Sequence, residues 1–194
     1  SYRHPAYAQG VFYFTSFPGS VEEVSSSHAF METTPQVSIV IVCMNRPDIL
    51  FPCLDSIRLH TQVSYETLVV AYRFSPENLQ ELKGLYPWVK ILESNEIRGF
   101  SENNNLALRQ AKGEYCFIVN DDTLMSMPVI DRLVADLNAL PDSAAAISPK
   151  IVVPSGKVQT CGRAPWTRWR YFLHYLHLVD ESKPSKWNRL TEEG

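Results

Sequence analysis

Residues 112–123 read Lys112-Gly113-Glu114-Tyr115-Cys116-Phe117-Ile118-Val119-Asn120-Asp121-Asp122-Thr123. The run 115–119 is aromatic and β-branched, behind a glycine and ahead of polar residues, which predicts a strand buried on both faces. An Asn and two adjacent acids follow it directly. In an open parallel sheet, ligands sit just outside the carboxyl ends of the strands. Carboxylates held there can gather a hard divalent cation, which takes its other ligands from water and substrate phosphates. The structural alternative is a polar turn whose Asn and Asp side chains bond their own backbone.

Composition bounds the rest. A chain of 194 residues with 45% apolar content has one domain as its default and enough material for a sizeable core. Its net charge of −3 argues against nucleic acid as a partner. The four cysteines, Cys43, Cys53, Cys116 and Cys161, lack metal-site spacing. Cys43 and Cys116 fall within strand-like runs and read as buried and reduced. No stretch reaches the ~20 apolar residues of a membrane span, and no signal-peptide pattern is present. A cytoplasmic protein is the expectation.

Outward from the central run, the chain reads as alternating strands and helices. A short strand is expected over 11–14, followed by a linker rich in Ser and Pro-Gly punctuation. The missing initiator Met suggests that the chain is cut from something longer. Residues 37–43 form a continuous apolar run, the mark of a strand covered on both faces. Pro47 then opens a helix with Ile49, Leu50, Cys53, Leu54 and Ile57 on one face. A second strand covers 67–71. Ser75 and Pro76 start a helix with a buried stripe of Leu79, Leu82 and Leu85. A third strand is expected over 88–92, and a helix capped by Ser101 runs through Ala111 to stop at Gly113. Met127 and Pro128 open a helix with Ile130, Leu133, Val134 and Leu137 inward. A further strand over 145–153 meets a turn at 154–156. Such alternation implies βαβ units and a mostly parallel sheet, hence an α/β fold with helices on both faces.

Neither a G-x-G-x-x-G nor a Walker loop follows the first strand, and no G-x-S-x-G elbow occurs. Dinucleotide dehydrogenases, P-loop enzymes and α/β-hydrolases are thereby disfavoured. A nucleotide-binding sheet that handles pyrophosphate through a cation remains.

Four segments together resemble one family. Val37-Ser38-Ile39-Val40-Ile41-Val42-Cys43-Met44-Asn45-Arg46-Pro47 is similar to the first strand and loop of family-2 glycosyltransferases of the GT-A fold. Arg98-Gly99-Phe100-Ser101-Glu102-Asn103-Asn104-Asn105 resembles that family's glycine-phenylalanine loop and Asn-bearing helix. Residues 112–115 with 120–123 resemble its strand and D-x-D-type metal motif. Residues 147–151 and 155–159 are similar to the segment that follows in rhamnosyltransferase-like members. The resemblance spans residues 37–162, between an N-terminal extension over 1–36 and an aromatic, basic segment over 163–194.

The resemblance implies roles. Cys43, Met44 and Asn45 would hold the nucleotide base, through backbone as much as side chains. Asp122 would bind Mg²⁺ or Mn²⁺, with Asn120 and Asp121 near the ribose and metal, and Asn104 and Asn105 would line the donor pocket. Arg98 could hold a phosphate or simply be a solvated surface Arg. The cation would offset charge on a departing nucleoside diphosphate. Two departures matter. The family's Asp at the end of the second strand is replaced by Ala71, so Tyr72 or Arg73 would contact the base, unless Tyr72 is only a strand-end aromatic. Asn120 leads the metal motif, as in rhamnosyltransferase-like members, which points to a dTDP- or UDP-sugar.

The resemblance therefore implies metal-dependent transfer of a hexosyl or rhamnosyl group from a nucleotide-diphosphate sugar to a glycan or lipid-linked acceptor. The general base would lie outside this chain, in an acceptor half of which 163–194 is only the start. Asp131, Asp136 and Asp142 fall on a helix and its exit, and Asp180 and Glu181 follow the aromatic stretch without a strand to position them. The aromatic and basic residues around Trp166, Trp169, Arg168 and Arg170 could contact the inner membrane face peripherally, or form a lid that packs on the sheet. His174 and His177 share a helical face but lack the neighbours of a metal site. The rival reading is a non-catalytic domain of this fold that binds a nucleotide-sugar or a partner. A sugar-phosphate nucleotidyltransferase would need a Gly-rich, Arg-bearing opening loop, which this sequence lacks.

Overall fold

The computed structural model describes residues 10–14 (backbone only), 34–141, 144–153, 155–156, 158–159, 167–176 and 178. They fall into two compact units, Ser1–Pro149 and Lys150–Gly194. The first unit is a five-stranded sheet built from β1 (Gly10–Phe14), β2 (Val37–Met44), β3 (Tyr65–Tyr72), β4 (Lys90–Ser94) and β5 (Tyr115–Asn120). Its strand order is β1-β5-β2-β3-β4. β2 pairs in parallel with β3 and β5, and β3 pairs in parallel with β4; β1 joins the far side of β5 antiparallel. The expected α/β class and parallel core are what the structure contains.

Alternation along the strands sorts the helices. Ile39, Ile41, Cys43, Val69, Phe117 and Val119 form one face of the sheet. They pack with α1 (Pro47–His60), α2 (Pro76–Leu85) and α4 (Val129–Ala139). Val40, Leu68 and Val70 form the opposite face and meet Ala107 of α3 (Phe100–Leu108). Continuous apolar strands are needed because both faces are covered. In α4 the expected stripe of Ile130, Leu133, Val134 and Leu137 is buried in full.

Several expected boundaries shift for identifiable reasons. In α2, Leu82 is buried but Leu85 is 57% exposed. The buried line steps by four residues to Tyr86, whose ring lies 5.0 Å from Phe51. β4 begins at Lys90, because Trp88 is spent in edge-on contacts with Tyr65 and Tyr86. The N-cap of α3 is Gly99, not Ser101; Glu102 reaches back to accept the Gly99 N–H at 3.1 Å, and the helix ends at Leu108. Of the strand expected over 145–153, only β6 (Ile151–Val152) forms. The alanines before it offer little side chain to a pleated surface, and Ala145 and Ala146 are exposed.

In the second unit, β6 and β7 (Val158–Gln159) form an antiparallel pair. Gly156 turns between them with φ 77°, its N–H donating to Val153 C=O at 2.8 Å. Helix α5 (Arg168–Tyr175) is capped by Thr167, whose hydroxyl accepts the Arg170 N–H at 3.1 Å. Trp169 stacks on Phe172 at 5.5 Å, and no residue of the helix is buried. The linker after β1, Cys161, Trp166, His177, Asp142, Asp180 and Glu181 lie outside the described residues. Among the described residues no helix is long and apolar enough to cross a membrane.

Candidate functional site

Topology selects one end of the sheet. From β2 the chain fills β3 and β4 on one side, then returns to place β5 on the other side of β2. Strand order reverses between β2 and β5, and the crevice beyond their carboxyl ends is where such sheets take ligands. Val42 stands opposite Asn120 there, and Met44 opposite Tyr72. The expected residues Cys43, Met44, Asn45, Tyr72, Asn120, Asp121 and Asp122 thus share one rim of the sheet.

Met44 is 63% exposed at the last position of β2, and Tyr72 is half-buried at the last position of β3. Asn45 and Arg73 follow these two strands with φ of 51° and 52°. This left-handed region costs most side chains energy but suits Asn. The Asn45 side chain is committed to the fold: its Oδ1 accepts from Ser75 N at 3.0 Å and from Asn78 Nδ2 at 2.9 Å. Its backbone and its Nδ2 are left for a ligand. Ala71 is buried opposite Cys43, so no polar group stands at that position.

The acids divide between two tasks. Asp121 lies beside Cys43, whose thiol packs on the α1 face and donates to the Arg46 C=O at 3.5 Å. Burial raises the Asp121 carboxyl above its ordinary value; the nearby Cys43 thiol opposes this and the charge on Asp122 adds to it. Asp122 is half-buried, and its carboxylate accepts no hydrogen bond from the described residues. Arg46, whose charge acts on Asp121, is hydrogen-bonded to Asp48 at 2.7 and 2.8 Å. Two adjacent carboxylates at this rim, with Arg46 acting on Asp121 only through its charge, fit a hard divalent ion. No group of three or more His, Cys, Asp or Glu side chains that could hold a metal occurs among the described residues. An ion at this rim would draw on phosphate and water for its remaining ligands, as Mg²⁺ and Mn²⁺ do.

Helix α3 packs on β2, β3 and β4 and brings Asn103 and Asn104 to the sheet. Asn103 is satisfied by Ser94, whose hydroxyl donates to its Oδ1 at 2.9 Å. Asn104 is 5% exposed; its Nδ2 donates to Phe100 C=O at 2.9 Å, while its buried Oδ1 has no partner. An orphaned buried acceptor calls for a donor from outside the fold. Asn105 is exposed and does not join this face. Arg98 pairs with the exposed Glu96.

The residues that shape the acidic loop from below were not foreseen. Cys53 Sγ donates to Asn120 C=O at 3.8 Å, and Ser56 Oγ accepts the Met125 N–H at 3.1 Å. Both belong to α1, where Cys53 read simply as core. Cys43, Cys53 and Cys116 are buried and not disulfide-bonded. Burial pushes the Cys53 thiol up to about 12, so it stays protonated. Asp131 accepts from Gln62 N and Val63 N, and Asp136 pairs with Arg132, so both serve the fold.

Comparison with known proteins identifies the family. Residues 38–185 match the profile of Glycosyl transferase family 2. Over 133 residues the chain is 31% identical to the O-antigen biosynthesis protein RfbC of Myxococcus xanthus, covering 66% of this chain and 10% of that protein. Over 106 residues it is 29% identical to the glycosyltransferase YwdF of Bacillus subtilis (strain 168), covering 53% of this chain and 38% of that one. The chain thus spans well under half the length of these relatives. The mannosyltransferase PcManGT from Pyrobaculum calidifontis, solved with GDP-Man and Mn²⁺, matches at 23% identity and a TM-score of 0.46, over 53% of this chain and 32% of that one. S. aureus TarS with UDP-GlcNAc matches at 19% identity and a TM-score of 0.46, over 54% of this chain and 31% of that one. By the reach of the profile and the α/β sheet that carries it, the chain belongs to glycosyltransferase family 2, on a GT-A-type fold.

Proposed function

We propose that this domain binds a dTDP- or UDP-sugar at the carboxyl ends of β2, β3 and β5. It serves transfer of a hexosyl or rhamnosyl group to a glycan or lipid-linked acceptor. The observation that carries the reading is the acid pair at the switch point, with Asp121 beside Cys43 and Asp122 left open. Asp122 holds Mg²⁺ or Mn²⁺. The cation, when bound, supplies Lewis acidity that offsets charge on the departing diphosphate. Met44 and Tyr72 wall the nucleotide, the Asn45 backbone meets the base, and the Asn104 acceptor takes a donor group of the nucleotide. Asn120 stands near the ribose. The relative named for O-antigen biosynthesis supports a glycan acceptor. Trp169, Tyr171 and Tyr175, exposed on α5 beside Arg168 and Arg170, support peripheral contact with a membrane that carries a lipid-linked acceptor.

Inverting transfer needs a general base within hydrogen-bond reach of the acceptor hydroxyl. Asp131 and Asp136 are engaged elsewhere, so the base is another residue. The same observation favours a second reading, a domain that binds the donor without acting on it. Incubation with UDP-glucose and dTDP-rhamnose, with Mn²⁺ or with EDTA, separates the readings. Metal-dependent release of nucleoside diphosphate supports the transferase. Metal-dependent binding without release supports the second reading, and neither binding nor release contradicts both.

A further inference from the structure

Charge is distributed unevenly along the chain. Residues 150–179 hold five of its 18 Lys and Arg, at Lys150, Lys157, Arg163, Arg168 and Arg170, and none of its 21 Asp and Glu. The chain as a whole is acidic, with a net charge of −3, so attraction to an anionic partner is local to this stretch. Within the stretch, α5 presents an apolar side to solvent. Trp169, Phe172 and Leu176 follow one another at helical spacing and are 67%, 49% and 45% exposed. Trp169 stacks on Phe172 at 5.5 Å, which joins the two rings into one ledge. Tyr175 and Leu178 are exposed beside it, and no residue of α5 is buried. A ledge for stacking sugars would need the rings but not a stretch free of acids. A nucleic-acid site would need the cations but not Leu176 and Leu178. Aromatic and aliphatic groups together, flanked by cations, suit the boundary between headgroups and acyl chains.

We infer that α5 docks on a bilayer that contains anionic lipid. Trp169, Phe172 and Leu176 enter the headgroup boundary, and the cations of 150–179 meet the lipid phosphates. The inference names the lipid class for the membrane contact proposed above and rests on that reading. Neither part suffices alone: a helix this short buries little apolar area, and the charge attraction is screened by salt within about 10 Å.

The test is co-sedimentation of the full chain, without nucleotide or metal, with two kinds of vesicle. One is phosphatidylcholine alone; the other replaces a third of it with phosphatidylglycerol. Binding to the mixed vesicles should be roughly tenfold tighter or more, and should weaken as salt is raised. Arg168→Gln should weaken it about fivefold, and Arg168→Lys should keep it. Trp169→Ser with Phe172→Ser should weaken it about tenfold or more, whereas Leu at both positions should keep most of it. Because no residue of α5 is buried, these variants should fold, and their UDP affinity in Mn²⁺ should be that of the wild type. Equal binding to both vesicles overturns the inference, as does a serine pair that binds like the wild type. Release from the mixed vesicles by millimolar inorganic phosphate also overturns it, since the binder would then be a phosphate site and not a lipid surface. A serine pair that loses UDP affinity without lipid would make α5 a cover for the donor site, which overturns it too. No binding to either vesicle removes the membrane contact altogether, while the donor-site reading stands or falls on UDP binding alone.

Discussion

The two ends of the same parallel strands differ in exposure and backbone conformation. At the amino end, Ser38 Oγ donates to Glu66 at 2.6 Å and accepts the N–H of Gly113 at 2.8 Å and of Lys112 at 3.2 Å. Glu66 accepts the Lys112 N–H as well, at 2.6 Å. A Cβ on Gly113 would lie 2.4 Å from the Ser38 backbone nitrogen, so strand β5 enters the sheet with no room to spare. At the carboxyl end, two residues sit at positive φ, Met44 is exposed, and Asn104 Oδ1 is buried without a partner. Asp121 there holds its proton more tightly than usual, chiefly through burial. Buried polar atoms without partners occur at the amino end too, at Thr61, Thr67 and Trp88, so what sets the carboxyl end apart is its exposed Met44, its two positive-φ residues and its adjacent acids.

The sharpest way to break this contrast is Gly113→Ala. The clash is with backbone, which cannot turn aside, so overpacking should cost about 3 kcal/mol. That lowers Tm by about 10 °C for a domain of this size. Calorimetry checks the melting point, and nucleotide affinity measured below the transition should be unchanged. A small Tm change would mean that the amino end is not tightly packed.

Ser38→Ala comes next. It leaves the Gly113 N–H without its acceptor and Glu66 with the Lys112 N–H alone, for about 2 kcal/mol lost. Denaturant unfolding should show the midpoint moving with an unchanged slope. An equal loss of nucleotide affinity would show that the two ends are coupled, contrary to their separate roles.

Asp121→Asn sharpens the contrast from the other end, with a smaller and opposite effect on stability. The folded state raises the Asp121 carboxyl above its unfolded value of 3.8. Such a shift contributes stability below the unfolded value, and that contribution is lost as pH rises through the folded one. At neutral pH the ionised carboxylate is therefore a burden, and the amide should raise Tm in metal-free buffer. The gain should shrink as pH falls towards the ordinary carboxylate range. Thermal melts at several pH values in EDTA check this; a variant less stable than wild type at neutral pH would contradict it.

Much of the frame was legible in residues. Apolar runs gave β2 and β5, and the 3.6-residue period gave α4 down to each inward side chain. Ser75 and Pro76 opened α2 as expected, with Ser75 Oγ accepting the Asn78 N–H at 3.2 Å. The misses were tertiary. Nothing local distinguishes Leu85 from Leu82; the choice depends on Tyr86 reaching Phe51. Gly99 rather than Ser101 capped α3 because Glu102 could close back on it. At the site, the acid pair announced itself by charge density beyond a buried strand. The separate roles of Asp121 and Asp122 were expected from the family resemblance alone; that Asp121 lies beside Cys43, on a strand far away in sequence, was not. The commitment of Asn45 to Ser75 and Asn78 was likewise invisible, being a contact between two loops.

Whether the carboxyl end is a cation-assisted nucleotide site is decided by titrating the wild type and Asp122→Asn with UDP and dTDP, each with and without Mn²⁺. Mn²⁺ should tighten wild-type binding, Asp122→Asn should abolish that increment, and Asp121→Asn should only reduce it. Binding indifferent to both the metal and the Asp122 substitution would contradict the account, and a reversal of the two variants would exchange the roles of Asp121 and Asp122.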